Sequence, residues 1–559
     1  MKREPEALLG HFDVLVVGAG VTGAAMARTL ARSGLRTALI ERDDFGGATT
    51  HNSAKIVHGG LRYVQHLDAV RIRESIRSQN AWLATAPNLV SPLRFTMPTR
   101  GWGARGPIAL ALGMTAYRTL GGRRHPLVTR MEVGSPAAFA RNFASVNSAG
   151  VSGHASWYDA QIRDSGRLIT ECIADAVAAG AVAVNHMEVD QLMLTSGVVE
   201  GVAAHDVITG AEYQVRADMT ITCVGPWTPW FFEKSGIRPD ALGVHTWTRN
   251  MNVVLKREIV PEGAVGLMSR HAGDAVIGTT SRLYFVSPWQ GATIVGTTHE
   301  TYREKPDHIG ISAEEVSAFL EDVGSALSGE PLSIDEVAYL HIGISPAEKT
   351  GHHGAKRAVV QDERDHGLRQ CLAITANKYT TAPEVARLVT KRILEGKVAY
   401  SKAVHDFNAP MLFALEQPDP IFRLPSDASS LAREHAWVHA IYGQHADDLL
   451  GIANRYPDGD PGIRLFKARV EFGVRHEMAC RLGDAIFRCT DRAERGCLGL
   501  DELFWAAKHM ASAFKWSDSR MRQELELVRT RLTRHMSGGP LAQWRAPFKQ
   551  AEPSVKSGN

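Results

Sequence analysis

The feature that most constrains the fold is a glycine motif that lies directly after a run of apolar residues. The run Val14-Leu-Val-Val17 predicts a buried strand, and Gly18-x-Gly20-x-x-Gly23 follows it and opens a stretch of helical character. Gly34 suits the end of that helix, and a second apolar run, Thr37–Ile40, ends at Glu41. The sequence therefore predicts a βαβ unit near the start of the chain.

The three glycines and Glu41 indicate what this unit binds. Glycines at this spacing let the backbone turn tightly, bring main-chain N–H groups to a pyrophosphate at a helix N-terminus, and allow close packing of helix and strand. The carboxylate of Glu41 can accept hydrogen bonds from ribose hydroxyls, which disfavours a 2′-phosphate and hence NADP. At this point FAD and NAD both remain open.

Composition limits the other function classes. With 559 residues, of which 44% are hydrophobic, the chain is long enough for two or three domains. A formal net charge of +3 provides no basic field for nucleic acid, so we expect no nucleic-acid partner. No uncharged run reaches the roughly 18 residues of a spanning helix, and no signal peptide is evident, which predicts a cytoplasmic protein. Six dispersed cysteines without a C-x-x-C pair fit a reducing compartment.

Further segments predict how the rest of the chain is organised. The apolar runs Ala181–Asn185, Met219–Cys223 and Cys371–Thr375 predict more buried strands of the first sheet, which is then assembled from distant parts of the chain. Alternating runs at Leu283–Val286 and Ala292–Gly296 predict antiparallel strands of a second sheet.

A helical region is expected after a proline-rich linker. Residues 429–535 have helical periodicity, and four apolar positions are expected to share one helix face: Val474, Met478, Leu482 and Ile486. The last residues, 536–559, mix Gly, Pro, Ser and Lys and are expected to form a flexible tail.

The choice between FAD and NAD depends on one stretch, Gly46-Gly-Ala-Thr-Thr-His-Asn-Ser-Ala-Lys-Ile-Val-His58-Gly59-Gly60-Leu-Arg62-Tyr63. This stretch resembles the FAD-dependent glycerol-3-phosphate dehydrogenase family, and the resemblance favours FAD. That family belongs to the D-amino-acid-oxidase-like flavoproteins and has a Thr/Ser-rich stretch leading into Lys-Leu-Ile-His-Gly-Gly-Leu-Arg-Tyr. The resemblance extends from about Phe12 to about Arg529. It includes these segments: Ala86–Phe95, Tyr158–Gln161, Gly225-Pro-Trp227, Gly296-Thr-Thr298, Lys378-Tyr-Thr-Thr381 and Glu471–Ala479.

The resemblance implies an α/β fold with an FAD-binding Rossmann-like domain, an antiparallel-sheet substrate domain and an all-helical C-terminal domain. The expected bounds are 10–95, 150–235 and 345–400 for the FAD-binding domain, 96–149 and 236–344 for the substrate domain, 401–428 for the linker, and 429–535 for the helical domain. The cofactor-binding residues would be Gly18, Gly20, Gly23, Glu41, Thr49, Thr50, Ser53, Lys55, His58, Gly59, Gly60, Gly225, Thr380 and Thr381. The catalytic residues would be Arg62, Tyr63, Lys378 and His299. No metal is expected, since His476-Glu477 is not part of a His-Glu-x-x-His motif.

The sequence departs from the family where the family binds phosphate. Ser345 stands where the family has an arginine in a Gly-Val-Arg-Pro-Leu segment, and Gln361 stands at the place of a second arginine. Met251 replaces a family histidine. Four cations are candidates to compensate: Arg249, Lys349, Lys356 and Arg357. The substrate therefore stays open between a phosphate ester and an unphosphorylated compound.

The predicted function is oxidation of a secondary alcohol by hydride transfer to FAD, with sn-glycerol 3-phosphate or a related polyol phosphate as first choice. An oxidase of an unphosphorylated alcohol, a hydroxy acid or an amine is the alternative, and a non-catalytic flavin-bound scaffold or redox sensor is a further one. The resemblance implies quinone as electron acceptor, with O₂ the other option, and the oligomeric state stays open, a homodimer included. The apolar stretch Pro107–Tyr117, flanked by arginines, predicts either peripheral contact with the cytoplasmic membrane or a buried helix.

Overall fold

A computed structural model describes residues 1–66, 68–101, 106–120, 122–237, 246–272, 281–347, 358–376, 378–395, 408–415, 430–456 and 460–535. The strands are β1 His11–Val17, β2 Thr37–Ile40, β3 Ile56–Val57, β4 Val90–Arg100, β5 Met131–Gly134, β6 Val151–Ile162, β7 Val182–Val184, β8 Met187–Thr195, β9 Val198–Asp206, β10 Glu212–Thr222, β11 Trp247–Leu255, β12 Ala264–Ala272, β13 Ser281–Trp289, β14 Ala292–Gly296, β15 Glu300–Tyr302, β16 Val337–Pro346, β17 Val359–Gln361 and β18 Cys371–Thr375. The α-helices are α1 Val21–Arg32, α2 Ala69–Thr85, α3 Pro107–Leu120, α4 Pro136–Asn142, α5 Ser165–Ala178, α6 Thr228–Glu233, α7 Ala313–Gly324, α8 Glu363–His366, α9 Ala382–Glu395, α10 Ser430–Tyr442, α11 Ala446–Ala453, α12 Pro461–His476, α13 Leu482–Phe487, α14 Leu500–Phe514 and α15 Asp518–His535.

The predicted βαβ unit lies at the centre of an eight-stranded sheet with the order β17-β18-β10-β1-β2-β7. From β18 to β7 the neighbouring strands are parallel, and the β8–β9 hairpin pairs antiparallel with β10. Alternate residues of β1 face opposite sides: Val14 and Val16 pack with α1, whereas Leu15 and Val17 pack with residues of the hairpin. Because both faces are covered, β1 and β2 are almost entirely apolar and buried. The predicted strands at 181–185, 219–223 and 371–375 are confirmed as β7, the end of β10, and β18.

A ten-stranded sheet with the order β15-β11-β14-β13-β12-β4-β6-β3 forms the second layer. Its pairs are antiparallel except for β12 with β4, which confirms the largely antiparallel second sheet. β16 pairs along the length of β11, and helix α7 packs on the apolar face that these strands present. The short strand β3 follows the glycine-rich stretch 46–53 directly, so this stretch connects the two sheets.

The C-terminal helices α10 to α15 pack into the cores of both sheets. Residues of α10, α11 and α12 share a hydrophobic core with α1, α5 and α9. Residues of α13, α14 and α15 share another with the strand residues Val254, Ile294 and Tyr339. The predicted helical C-terminal region is therefore confirmed over its described residues, and it is joined closely to the rest of the fold.

The prediction of one continuous helix face through Val474, Met478, Leu482 and Ile486 is wrong. Helix α12 ends at His476, Met478 has a positive φ of 54°, and α13 begins only at Leu482. The break is stabilised locally, because the side chain of Asp484 accepts hydrogen bonds from the backbone N–H groups of Cys480 and Arg481 at 2.8 Å.

The predicted domain bounds stay a prediction, and the sheets divide the chain differently in one respect. Strand β6 and most of β4 lie within the ranges predicted for the FAD-binding domain, yet both pair in the second sheet. Most of the linker, residues 401–407 and 416–428, and the tail 536–559 lie outside the described residues, as do Lys349, Lys356 and Arg357.

Candidate active site

The glycine motif lies at the carboxyl end of β1, and its backbone leaves no room for side chains. A Cβ on Gly18, whose φ is 96°, would lie 2.7 Å from the carbonyl oxygen of Cys223. A Cβ on Gly23 would lie 1.8 Å from the carbonyl oxygen of Gly18, and one on Gly20 would be 3.2 Å from Oγ1 of Thr50. Helix α1 begins at Val21, so the motif forms a bare backbone surface at a helix N-terminus, as a pyrophosphate requires.

Glu41 follows β2 and lies against this motif. Its Oε2 accepts a hydrogen bond from the N–H of Ala19 at 2.7 Å, and its Oε1 accepts one from the N–H of Asp43 at 3.0 Å. Burial raises the pKa of Glu41, and the neighbouring Asp43 carboxylate raises it further. An acidic side chain thus lies beside the glycine motif, and its contact with the ribose of a dinucleotide stays a prediction.

Thr49 and Thr50 join the glycine-rich stretch to strand β16 of the second sheet and to the start of α1. Oγ1 of Thr50 accepts a hydrogen bond from the N–H of Val21 at 2.9 Å, at the start of α1. Oγ1 of Thr49 donates to the carbonyl of Ile344 at 3.1 Å and accepts from the N–H of the same residue at 3.2 Å. Gly343 permits this approach, because a Cβ there would lie 2.9 Å from the carbonyl oxygen of Asn52. Strand β16 is thereby placed beside the predicted cofactor segment.

The structure directs the side chain of Lys55 away from the glycine motif. Its ammonium is fully buried and donates to Oγ of Ser165 at 2.8 Å and to Oε1 of Glu494 at 2.9 Å. Its backbone N–H donates to Oγ of Ser53 at 3.2 Å. This arrangement therefore does not support the predicted contact between the Lys55 ammonium and the cofactor.

His58, Gly59 and a buried carboxylate on β6 form a tight group. Asp159 accepts hydrogen bonds from Nδ1 of His58 at 2.9 Å, from the N–H of Gly59 at 2.8 Å and from Nε2 of Gln79 at 3.0 Å. Burial alone would raise the pKa of Asp159, but these hydrogen bonds outweigh it and the pKa is lowered. An ionised Asp159 thus orients His58. Asp159 lies in one of the segments that resemble the family, but no motif in the sequence marks it as a site residue.

The catalytic candidates Tyr63 and Lys378 lie together. Nζ of Lys378, just after β18, is 4.4 Å from the centroid of the buried Tyr63 ring. Thr380 connects the same two segments, because its Oγ1 accepts a hydrogen bond from the N–H of His58 at 3.2 Å. Oγ1 of Thr381 donates to the carbonyl of Lys378 at 3.3 Å, directly before helix α9 begins. Arg62 lies in the 3-10 helix Leu61–His66, but its side chain is outside what the structure describes.

Hydrogen-bonded polar side chains lie on the second-sheet side of the site. Nδ1 of the exposed His299 is 2.6 Å from Oδ1 of Asn250, and Nδ2 of Asn250 donates to Oγ of Ser345 at 2.9 Å. Oγ of Ser345 is also 3.0 Å from Oγ1 of Thr248. Arg249 points elsewhere, since its guanidinium donates to the carbonyl of Gly310 at 2.7 Å and contacts the carboxylate of Glu315. The suggestion that Arg249 compensates for a missing phosphate-binding arginine is therefore not supported by its position.

The carboxyl ends of four parallel strands carry the predicted residues. Gly18 follows β1, Glu41 follows β2, Gly225 follows β10 with open space beside its Cα, and Lys378 follows β18. Ligands of open α/β sheets bind at this edge, beside the point where the strand order reverses. The fold and the site together define a protein that binds a dinucleotide along the first sheet and presents it to the second.

The bare glycine backbone and the carboxylate of Glu41 fit an ADP group, and the stretch 46–60 continues from them toward the second sheet. The chain belongs to the family described as FAD dependent oxidoreductase, whose model matches residues 13–392. The cofactor is FAD, and the protein is an FAD-dependent oxidoreductase of the α/β class, as the sequence predicted.

Relatives and solved structures agree with this assignment. The chain is 28% identical to the glycerol-3-phosphate dehydrogenase of Synechocystis sp., over 88% of this chain and 90% of that protein. It is 26% identical to the aerobic glycerol-3-phosphate dehydrogenase of Escherichia coli, over 86% and 93%. The fold resembles the glycerol-3-phosphate dehydrogenase of Bacillus halodurans complexed with FAD, with a TM-score of 0.72 at 18% identity, covering 98% of this chain and 99% of that one.

Proposed function

We propose that this oxidoreductase oxidises a secondary alcohol, with sn-glycerol 3-phosphate, converted to dihydroxyacetone phosphate, or a related polyol phosphate as its substrate. The observation that carries the proposal is the pairing of Lys378 with Tyr63 at the sheet edge where the cofactor segments meet. The substrate class is supported by the relatives named glycerol-3-phosphate dehydrogenase, which align with 86% to 93% of this chain.

FAD, when bound, accepts the hydride that leaves the carbinol carbon. The residues of the chain have to orient the alcohol and remove its hydroxyl proton. The Lys378 ammonium can donate a hydrogen bond to the oxygen that becomes the carbonyl, and the buried Tyr63 ring excludes water from one side of it.

His299 is our candidate for the proton acceptor. We assign the ring proton to Nδ1, because Nδ1 lies 2.6 Å from the amide oxygen of Asn250, and Nε2 is then the basic nitrogen. The role of Asn250 is then to select this tautomer.

Anaerobic mixing with candidate substrates tests the proposal. Purified protein is mixed with polyol phosphates, polyols, hydroxy acids and amines, and loss of the visible absorbance of oxidised flavin is followed. We expect a polyol phosphate to bleach the flavin. Bleaching by an amine alone would favour the amine-oxidising alternative, and no bleaching by any compound would favour the flavin-bound scaffold.

We further propose quinone as the electron acceptor and peripheral contact with the membrane through α3. Among the described residues, no helix has the length and apolar character needed to cross a bilayer. One face of α3 packs inward through Met114 and Tyr117, whereas Ile108 and Leu112, four residues apart, are 64% and 67% exposed. An apolar outer face of this kind can lie in a lipid interface.

Vesicle binding tests the membrane contact. The wild type should sediment with anionic vesicles, and Ile108→Ser with Leu112→Ser should reduce the bound fraction while flavin content is unchanged. Equal sedimentation of both proteins would contradict a role of α3, and reduction of O₂ but not of a soluble quinone would contradict the acceptor.

A further inference from the structure

The segment Asp44–Lys55 carries the predicted cofactor residues Thr49, Thr50 and Ser53, and it contains no helix or strand. Its internal hydrogen bonds are local and join residues no more than five apart, such as the N–H of His51 to the carbonyl of Gly46 at 3.0 Å. A segment built from turns, with two adjacent glycines, has many alternative conformations. Contacts from outside must therefore select the conformation that binds the cofactor.

The C-terminal helices supply these contacts at both ends of the segment. Nε of Arg488, which follows α13, donates to Oδ2 of Asp44 at 2.6 Å. At the other end, Oε1 of Glu494 accepts from Nζ of Lys55 at 2.9 Å and lies 3.1 Å from Nε2 of His51. Each of these side chains is at least nine-tenths buried, so Asp44 balances the charge of Arg488 and Glu494 balances that of Lys55 where water cannot.

A third contact reaches the middle of the segment. The guanidinium of Arg531, on α15, donates to the carbonyl of Gly47 at 3.1 Å and lies over the ring of Phe487 at 4.1 Å. Gly47 is two residues before Thr49, which hydrogen-bonds to Ile344, and three before Thr50, which caps the start of α1. The C-terminal helices thus contact the segment next to the two threonines that are predicted to bind the cofactor.

The cluster around Asp44 serves this same anchoring. Asp44, His186 and Asp484 offer ligand atoms within 4.8 Å of one another, an arrangement that would suit a cation. However, Arg488 already binds Asp44, and Nε2 of His186 lies 2.9 Å from Oδ2 of Asp484. Two carboxylates therefore face two cationic partners, and the cluster is an ion-pair network between the segment and α13.

We propose that the C-terminal helical region is a structural part of the flavin site, in which Arg488, Glu494 and Arg531 position the segment Asp44–Lys55 for FAD binding. These are positioning residues, because they act on the cofactor only through the segment. The proposal rests on the assignment of residues 46–60 to the cofactor, and it is independent of which substrate is oxidised.

The test compares FAD release from the holoenzyme across matched variants. Arg531→Met removes the contact to Gly47 at a partly exposed position, Arg531→Lys keeps a donor there, and Glu494→Gln removes the charge that faces Lys55. The control is Arg167→Met, because Arg167 also joins the flavin-binding region to the C-terminal helices, through Glu477, and none of its described hydrogen bonds or ion pairs reaches the segment. FAD fluorescence after dilution gives the release rate, and thermal unfolding gives the stability.

We expect Arg531→Met and Glu494→Gln to release FAD about tenfold faster or more, as loss of one charged hydrogen bond to a preorganised loop predicts. Arg531→Lys should recover most of the wild-type rate, and amide hydrogen exchange at residues 46–52 should rise in Arg531→Met. Arg167→Met should lower the melting temperature and leave FAD release within about twofold.

Wild-type release rates in both Arg531→Met and Glu494→Gln would overturn the proposal, as would equally fast release from Arg167→Met. Retention of FAD by a Gly20→Leu variant would remove the cofactor assignment itself, and the proposal with it. Bleaching of the flavin by an unexpected substrate would change the proposed function and leave this inference standing.

Discussion

The ammonium of Lys378 lies over the ring of Tyr63, with Nζ 4.4 Å from the ring centroid. A cation held on an aromatic face is stabilised by about 0.5 to 2 kcal/mol, more where water is excluded. The contact joins the turn after β18 to the 3-10 helix after β3, and it fixes the direction of a positive charge at the edge where the cofactor segments converge. Turnover is therefore expected to depend on it.

Lys378→Met should lower turnover by on the order of a hundredfold while FAD stays bound, because a preorganised charge is lost from the site. Arg62→Ala is expected to have an effect of the same order, as the family resemblance implies. Turnover per bound flavin is the measurement. Lys391→Met is the control, since Lys391 lies on the exposed side of α9 and pairs only with Glu395 among its described ion pairs. Full activity of Lys378→Met would refute its role.

Gly20→Leu should abolish FAD retention, because a side chain there would fill the backbone surface beside Thr50 that the pyrophosphate approaches. Flavin content after purification, from the visible spectrum, is the measurement. Gly451→Ala is the matched control, as a Cβ at that helical position meets no neighbouring atom within 4 Å. A colourless wild-type protein that binds NAD would contradict the cofactor assignment.

The βαβ unit could be predicted from the sequence because all its signals are local. The glycine spacing, the apolar runs and Glu41 lie within one short stretch. The burial of β1 and β2 in the fold agrees with these local signals. The later strands of the first sheet were predictable for the same reason, since fully buried strands are continuous apolar runs.

Other parts of the site depend on contacts between distant residues. The ion pair of Lys55 with Glu494 and the hydrogen bonds of Asp159 with His58 and Gly59 form only when separate elements pack together. The apolar residues keep a helical period across the break at Met478, so they predicted one helix where the structure has two. The break depends on the buried carboxylate of Asp484, which caps the next helix, and a pattern of apolar residues does not show such a polar contact.

Stability should fall in acid because of a buried histidine at the end of α15. The His535 ring stacks on Tyr339, and its Nδ1 donates to the carbonyl of Leu340 at 2.8 Å. Burial, with Arg531 nearby, lowers the pKa of His535 from 6.5 to about 3. The folded state therefore binds a proton on His535 less tightly than the unfolded state does. The contribution of His535 to stability is complete above its unfolded pKa and is lost as the pH falls below that value.

As the pH falls from 6.5 to about 5, His535 alone should lower the free energy of unfolding by about 1.5 to 2 kcal/mol. The pKa values of His51 and His341, buried close by, are also lowered by burial and add to this loss, whereas burial raises the pKa of the neighbouring Glu494 to about 7 and opposes it. Denaturant unfolding across this pH range measures the slope. His535→Asn, which can keep a donor to Leu340, should make the slope shallower, and the exposed His308→Asn should not. Equal slopes in all three proteins would contradict the assignment.

Ser345 and Gln361 stand where the family resemblance implies arginines. Ser345 takes part in a neutral hydrogen-bond network with Thr248 and Asn250, and Gln361 is buried. Since each charged hydrogen bond of a guanidinium to phosphate contributes about 1.5 to 3 kcal/mol, the wild type should hold a phosphate ester weakly. Ser345→Arg with Gln361→Arg should lower the KM for glycerol 3-phosphate by roughly 10²-fold, whereas the polar but uncharged Ser345→Gln should not. A low KM in the wild type with no gain in the double variant would show that these positions do not govern phosphate recognition.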